Sequence, residues 1–401
     1  MTDDPAPRSV AAHVTTRAIF RISLYYGVAG FGGGYSVLAQ LRRDLVERRK
    51  WVSADEFLVL AELSKSLPGT PATSLLALLG QRVGGTRGGA VAAIAFLLPS
   101  AILMTACGAA YSLMRKATGL GVFFDGMNAA MVGVVGAVTV DLGKSALRSR
   151  RDVLIAALAT ALLTFRVVAE PILAGAAATI GAVVAGMRAR PKPPTRDDAE
   201  PPKSERLHAS GVGSLLAFLV GPAALAHVAG LARVFLPIGV MTFGGGLAMI
   251  PAIEHMVVVE QGWLGPKAFA DAIALGQITP GPVAICATFI GFRVAGLVGA
   301  LVATIAMFLP AVAVALAAGH SVRRFRSSPL VEGALRALAP AVIGMLAAAT
   351  ISLGRAGIEG WLGGGIALLT FAVLLRYPIS PLWPLVGGGA VRVATFLLLH
   401  R

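Results

Sequence analysis

The sequence predicts an all-α polytopic membrane protein, with two inverted structural repeats that contain broken helices and one unpaired linker helix. Three observations lead there. First, 56% of the 401 residues are hydrophobic and only 14% are charged, whereas a water-soluble domain carries about a quarter charged residues. The apolar residues fall in runs, at 89–113, 153–165, 294–319 and 337–353, and about 20 apolar residues in a helix span the hydrocarbon core. Second, a series of motifs recurs in one order at nearly constant spacing. Third, basic residues are unequally shared between loops that this repeat makes equivalent.

The repeat opens with Phe31-Gly32-Gly33-Gly34 and Phe243-Gly244-Gly245-Gly246, 212 residues apart. At that spacing Gly27 aligns with Gly239, Trp51 with Trp263, Phe57 with Phe269, and Pro68-Gly69 with Pro280-Gly281. One residue is then lost. At 211, Gly80 aligns with Gly291, Arg82 with Arg293, Gly85 with Gly296, and Leu98-Pro99 with Leu309-Pro310. Asp125-Gly126 and Glu332-Gly333 continue the series at a slightly smaller spacing. Periodic self-similarity of this kind sets the architecture.

In chain order, residues 19–41 and 57–81 each contain a break, the triglycine in one and Pro68-Gly69-Thr70-Pro71 in the other. If both dip in and return, residues 42–56 stay on one side; the alternative is that both cross fully. Four spanning helices follow, near 89–113, 121–145, 152–166 and 170–187. Residues 188–209 are polar and Pro-rich, the composition of an exposed linker. Residues 211–231 read as an apolar helix with no counterpart in the first half. The expected boundaries are therefore 1–187 for the first repeat, 188–232 for the linker and unpaired helix, and 233–401 for the second repeat. A single extra crossing turns the second repeat upside down.

Loop charges agree with that inversion. The segment after the first triglycine carries Arg42, Arg43, Arg48, Arg49 and Lys50, while its counterpart carries Glu254, Glu260 and Lys267. Arg148, Arg150 and Arg151 face only Arg355, but Arg323, Arg324 and Arg326 outweigh Arg115 and Lys116. Alternating bias between equivalent loops is what inverted copies need under the positive-inside rule. The net charge of +15 fits cytoplasmic loops and attraction of an anion. No basic helix interleaved with aromatics points to nucleic acid. Cys107 and Cys286 lie in apolar stretches without CxxC spacing or clustered His, so neither a metal site nor a cofactor is expected. The N-terminus shows no secretory signal peptide.

The paired triglycines, the tryptophan 17 residues beyond each, and the segments Leu63–Pro71 (LxxxLPGTP) and Leu275–Val283 (LGQITPGPV) resemble the chromate ion transporter family, in its two-half form. The resemblance covers essentially residues 20–400. It implies a multi-pass inner-membrane protein, not an enzyme, that exports the divalent oxyanion chromate with the proton motive force and so gives chromate resistance. The implied partners are chromate, with sulfate as the alternative anion, protons and the lipid bilayer, with a homodimer as one permitted assembly. Uptake or exchange of sulfate is the alternative activity. An anion channel and an integral membrane enzyme rank below it.

An oxyanion needs hydrogen-bond donors and positive potential in a dry site. Gly32, Gly33, Gly34, Gly244, Gly245 and Gly246 let backbone N–H groups approach a ligand, and broken helices expose positively polarised N-termini. Pro68, Gly69 and Thr70, with Gln277, Thr279, Pro280 and Gly281 in the second copy, offer the same opportunity and add polar side chains; Thr73 and Ser74 add hydroxyls. Lys65 lies in an apolar helix three residues after Glu62, so the two share a face, and intramembrane charges are functional by default. Lys65 is the expected anion attractor. Arg82 and Arg293 can bind two oxyanion oxygens at once. The candidates for proton coupling are Glu62, Asp125, Asp271 and Glu332.

Overall fold

A computed structural model describes residues 14–30, 34–165, 222–241, 249–320, 329–377 and 379–399, with isolated positions at 173, 175–177, 179–181, 183, 187 and 246. Gly32, Gly33, Gly244, Gly245, the linker and half of the expected helix at 170–187 lie outside the described residues. Thirteen α-helices are described: α1 Thr16–Ala29, α2 Gly34–Arg42, α3 Ala54–Ser66, α4 Pro71–Lys116, α5 Thr118–Ala146, α6 Arg150–Thr164, α7 Pro222–Met241, α8 Ile250–Glu254, α9 Pro266–Ile278, α10 Cys286–His320, α11 Pro329–Gly357, α12 Gly360–Arg376 and α13 Leu382–Leu399. Among the described residues, five helices are long and apolar enough to cross a membrane: those in α4, α5, α10, α11 and α13.

The repeat in the sequence reappears in the backbone. Short π-helical segments, Arg43–Arg48 and His255–Glu260, extend α2 and α8 at the 212-residue spacing, and α3 and α9 begin and end at that spacing. Lys50 and Gly262 share a positive φ, of 51° and 60°. Each of α3 and α9 stops two residues before a proline, Pro68 or Pro280, because the residue preceding proline is pushed into extended conformation. The chain then turns through Gly69 (φ 100°) and Gly281 (φ 107°).

Neither long helix is straight. In α4 the helical dihedrals fail at Gly84 and Gly85, and in α10 they fail at Ala295 and Gly296. Gly85 has φ 66° and ψ −171°, and Gly296 φ 59° and ψ −148°, a region open essentially to glycine. The chain folds back there: a β-carbon at Gly80 would lie 2.6 Å from the Gly88 carbonyl oxygen, and Gly291 meets Gly299 in the same way. Arg82, at the end of the first limb of α4, pairs with Glu56 at the start of α3. Helix α3 and residues 71–83 therefore form an antiparallel hairpin whose tip is Pro68-Gly69. Each limb has 13 residues or so, about 20 Å of helix, too short to cross a core of about 30 Å. Helices α1 and α2 also return on themselves, since Tyr26 Oη donates to the Gln40 carbonyl at 3.4 Å.

Packing between the copies is reciprocal. The helices α4 and α10 pack together; α1 packs on α4 as α7 packs on α10; α6 packs on α11 as α12 packs on α5. The equivalent helices α5 and α11 run antiparallel. Gly143 approaches Ile343 while Gly354 approaches Val132, and in each pair a β-carbon on the glycine would lie 3.7 Å from the branched side chain. These two contacts exchange under the 211-residue shift.

Two details differ from expectation. Helix α7 runs unbroken from Pro222 to Met241, so residues 222–231 continue into the counterpart of α1, through the boundary expected at 232. The helices α5 and α11 start 211 residues apart, whereas Asp125 and Glu332 are 207 apart, so these two acids sit about one helical turn out of register.

Candidate functional site

Each hairpin tip packs against the long helix of the other copy, Gly69 against α10 and Gly281 against α4. Gly281 N donates to the Gly30 carbonyl at 3.3 Å, joining the second copy's Pro-Gly turn to the end of α1, two residues before the first triglycine. A β-carbon at Gly281 would lie 3.0 Å from Ser100 Oγ, and Gly69 meets Ala311 in the same manner. Ser100 and Ala311 are equivalent, each one residue beyond a proline, Pro99 or Pro310, inside a long helix. Such a proline leaves the carbonyl one turn earlier without its helical donor. Gly34 opens α2, and Gly246 lies against Val283 and Ala284 beyond the second Pro-Gly turn. Two broken helices thus start at these tips, α4 at Pro71 and the segment leading into α10 at Val283, and helix N-termini favour anions.

Hydroxyl groups line the first tip. Thr70 Oγ1 and Thr73 Oγ1 are 2.7 Å apart. Ser74 is buried, and among the described residues its Oγ has no hydrogen-bond partner. At the second tip Thr279 Oγ1 donates to the Leu275 carbonyl at 2.6 Å, the preceding helical turn. Gln277 and Pro280 are half-buried there.

The outer parts of the two hairpins are unlike. On α9, Asp271 is fully buried and accepts from Tyr111 Oη at 2.5 Å, Asn128 Nδ2 at 2.7 Å, and Arg115 through Nε at 2.9 Å and Nη2 at 3.2 Å. Arg115 also donates to Asp125 at 2.7 Å and to the Gly121 carbonyl at 3.0 Å. Lys267 reaches Asp125 at 3.1 Å and Glu359 at 2.8 Å, and Arg392 approaches Glu359 at 3.7 Å. Three cations and three carboxylates balance, so this network holds α9 against α4 and α5 without an excess charge for an anion. Arg293 stacks over the Tyr111 ring, 5.4 Å from its centroid, and donates to Ser112 Oγ at 3.3 Å.

The equivalent face of α3 is uncovered. Leu58 is 50% and Val59 36% exposed, against 2% for Ala270 and 0% for Asp271 at the same repeat positions. Lys65 and Glu62 sit on this open face as an ion pair of 2.8 Å, with 37% and 57% of their side chains exposed. Arg82 pairs with Glu56 at the base of the same hairpin.

The sequence profile of the chromate transporter family matches residues 17–186 and 229–393. The chain belongs to the chromate transporter family. It is 31% identical to a probable chromate transport protein of Synechococcus elongatus, over 92% of this chain and 93% of that one. It is 30% identical to the chromate transport protein of Cupriavidus metallidurans, over 96% of this chain and 95% of that one. With the chromate transport protein of Pseudomonas aeruginosa it shares 28% identity over 89% of this chain. No solved structure matches the chain significantly. Family membership and the apolar helices make it a multi-pass membrane transporter.

The residues expected from the sequence therefore divide into three places. The Pro-Gly turns, with Gly34 and Gly246, lie in or beside the hairpin tips; Lys65, Glu62 and Arg82 lie on the open hairpin; Asp271, Asp125 and Arg293 belong to the closed side. Glu332 lies in the first turn of α11. Sequence reasoning missed Tyr111, Asn128 and Glu359 and read Arg115 and Lys267 as loop charge. Asn128 was the available signal, a lone amide in the apolar stretch Gly126–Val138.

Proposed function

We propose that this protein exports chromate across the inner (plasma) membrane by alternating access, driven by the proton motive force. Membership of the chromate transporter family supports the substrate. The transport cycle rests on one observation, the unequal cover of two equivalent hairpins: the α3 face is open while the α9 face is locked by the Asp271 network. Inverted repeats that trade conformations expose a central site to one side at a time. The antiparallel packing of the equivalent spanning helices α5 and α11 supports inversion, as do the alternating loop charges under the positive-inside rule. The five cations of residues 42–50 support a cytoplasmic position for the open mouth under the positive-inside rule, where an exporter loads.

In this reading Lys65 draws the oxyanion toward the tips, and Ser74, Thr70 and the N-terminus of α4 replace its water. Of the four acids, Asp271 is the coupling residue. A proton on its carboxylate removes the charge that Arg115 and Asn128 hold, unlocks the α9 side, and ties outward opening to the outside proton supply. Loss of the exporter's activity would abolish chromate resistance.

The test is transport of labelled chromate and sulfate into everted vesicles, with and without an uncoupler. Uncoupler-sensitive chromate accumulation is the expected result. Accumulation indifferent to the uncoupler overturns proton coupling, and sulfate transported in preference to chromate favours the sulfate carrier that the same donors would serve.

A further inference from the structure

A cleft of about 770 Å³ separates the N-terminal half of α1 from the π-helical segment that follows α2. Five guanidinium groups line it, from Arg17, Arg21, Arg43, Arg48 and Arg49, against the single carboxylate of Asp44. Asp44 is taken by Arg49 at 3.0 Å. Among the described residues, Arg17, Arg21, Arg43 and Arg48 form no ion pair. The cleft thus presents four uncompensated cations at the basic end of the molecule, away from the hairpin tips.

The fold does not require these cations. A smaller cleft, of about 330 Å³, occupies the equivalent place in the second copy, between α7 and the π-helical segment after α8. There Arg21 is matched by Arg233, but Arg17, Arg43, Arg48 and Arg49 are replaced by Ala229, His255, Glu260 and Gln261. The same backbone is built with one arginine instead of five. The backbone therefore does not need these cations, and beyond keeping this loop on the cytoplasmic side they furnish a cationic site at this end of α1.

One helical stripe identifies its chemistry. Arg17 and Arg21 are followed at spacings of four and three by Tyr25 and Val28, which are 62% and 54% exposed. In the topology proposed above, on which this inference rests, the stripe is cationic at its cytoplasmic end and apolar over the next two turns, about 16 Å from Arg17 to Val28 at 1.5 Å per residue. A free oxyanion uses only the first part of such a surface. An amphiphile uses both, and cytoplasmic leaflets carry anionic headgroups that attract clustered cations. We propose that this cleft binds the phosphate headgroup of an anionic phospholipid, with an acyl chain laid along Tyr25 and Val28.

The test uses the detergent-purified full chain, titrated with phosphatidylglycerol or phosphatidylcholine and read by native mass spectrometry. Phosphatidylglycerol should be retained in preference to phosphatidylcholine and should survive excess inorganic phosphate. The variant R17Q/R21Q/R43Q/R48Q should lose that retention by at least ~10-fold, since each cation near an anionic surface is worth roughly a factor of five. R148Q/R150Q/R151Q, which lowers the charge elsewhere, should keep it. Should the quadruple variant fail to fold, R17Q/R21Q and R43Q/R48Q divide the same measurement. Equal retention of both lipids, or undiminished retention by the charge-neutralised variants, overturns the proposal. Displacement of the lipid by inorganic phosphate or chromate also overturns it, and would make the cleft a vestibule for free oxyanions.

Discussion

Replacing Arg115 by Gln should damage this protein far more than replacing Asp271 by Asn. The Asp271 side chain is fully buried, and 18% of the Arg115 side chain is exposed. Removing the guanidinium leaves Asp271 with Tyr111 and Asn128 but without a compensating charge, a loss of about 3–5 kcal/mol for a buried pair broken on one side. Removing the carboxylate charge is gentler. Arg115 keeps Asp125 at 2.7 Å and the Gly121 carbonyl at 3.0 Å, and Asn fills the same volume, so the cost is about 1–3 kcal/mol. The double variant R115Q/D271N no longer buries an unpaired charge and should be more stable than R115Q alone. Unfolding of the purified protein in detergent, followed by loss of helical circular dichroism, gives the order wild type, D271N, R115Q/D271N, R115Q. If R115Q is as stable as D271N, or the two changes simply add, the pair is not coupled and does not lock the α9 hairpin.

Three further outcomes are expected. S74A should leave stability unchanged or slightly raised, because it deletes a buried hydroxyl that has no partner, while chromate uptake into everted vesicles falls; intact uptake would remove Ser74 from the oxyanion site. G85A and G296A should each cost about 1–3 kcal/mol in unfolding experiments, since alanine cannot hold these dihedrals without strain. The two costs should match, because nothing lies within 4 Å of a β-carbon at either position. K65A should lower the apparent affinity for chromate with little effect on stability, because the Lys65–Glu62 pair is exposed and worth about 0–1 kcal/mol; transport kinetics in vesicles separate this from a loss of folded protein.

The hairpins were legible in the sequence because their causes are local. The Pro-Gly pairs at 68–69 and 280–281 end their helices through local geometry, the residue before proline turning extended and the glycine taking a positive φ, and the pairing of Gly85 with Gly296 follows from the repeat alone. Reciprocal packing was legible in outline, since duplicated sequences build duplicated interfaces. The Asp271 network was not. Its members come from four helices and the residue that precedes α12, and Asp271 and Arg115 are 156 residues apart, so no periodicity or spacing joins them. Arg115 looked like a loop cation because it stands one residue from the end of α4. The inequality of the two hairpins was half visible, since Glu62 and Lys65 occur only in the first copy. That the copy with the charges would be the open one depends on which face the rest of the fold covers.

The central claim is that the two equivalent hairpins expose the site in turn and from opposite sides. It is tested most directly by placing single cysteines at the equivalent positions 62 and 274, as E62C and A274C, after replacing Cys107 and Cys286 by Ala. Glu62 has a side chain 57% exposed, and Ala274 is fully buried. A membrane-impermeant thiol reagent should modify position 62 from the cytoplasmic side only and leave position 274 protected. Adding D271N should reverse this, with position 274 becoming reactive from the opposite side as position 62 slows. Reaction of both positions from the same side, or reactivities that rise and fall together, would contradict the account.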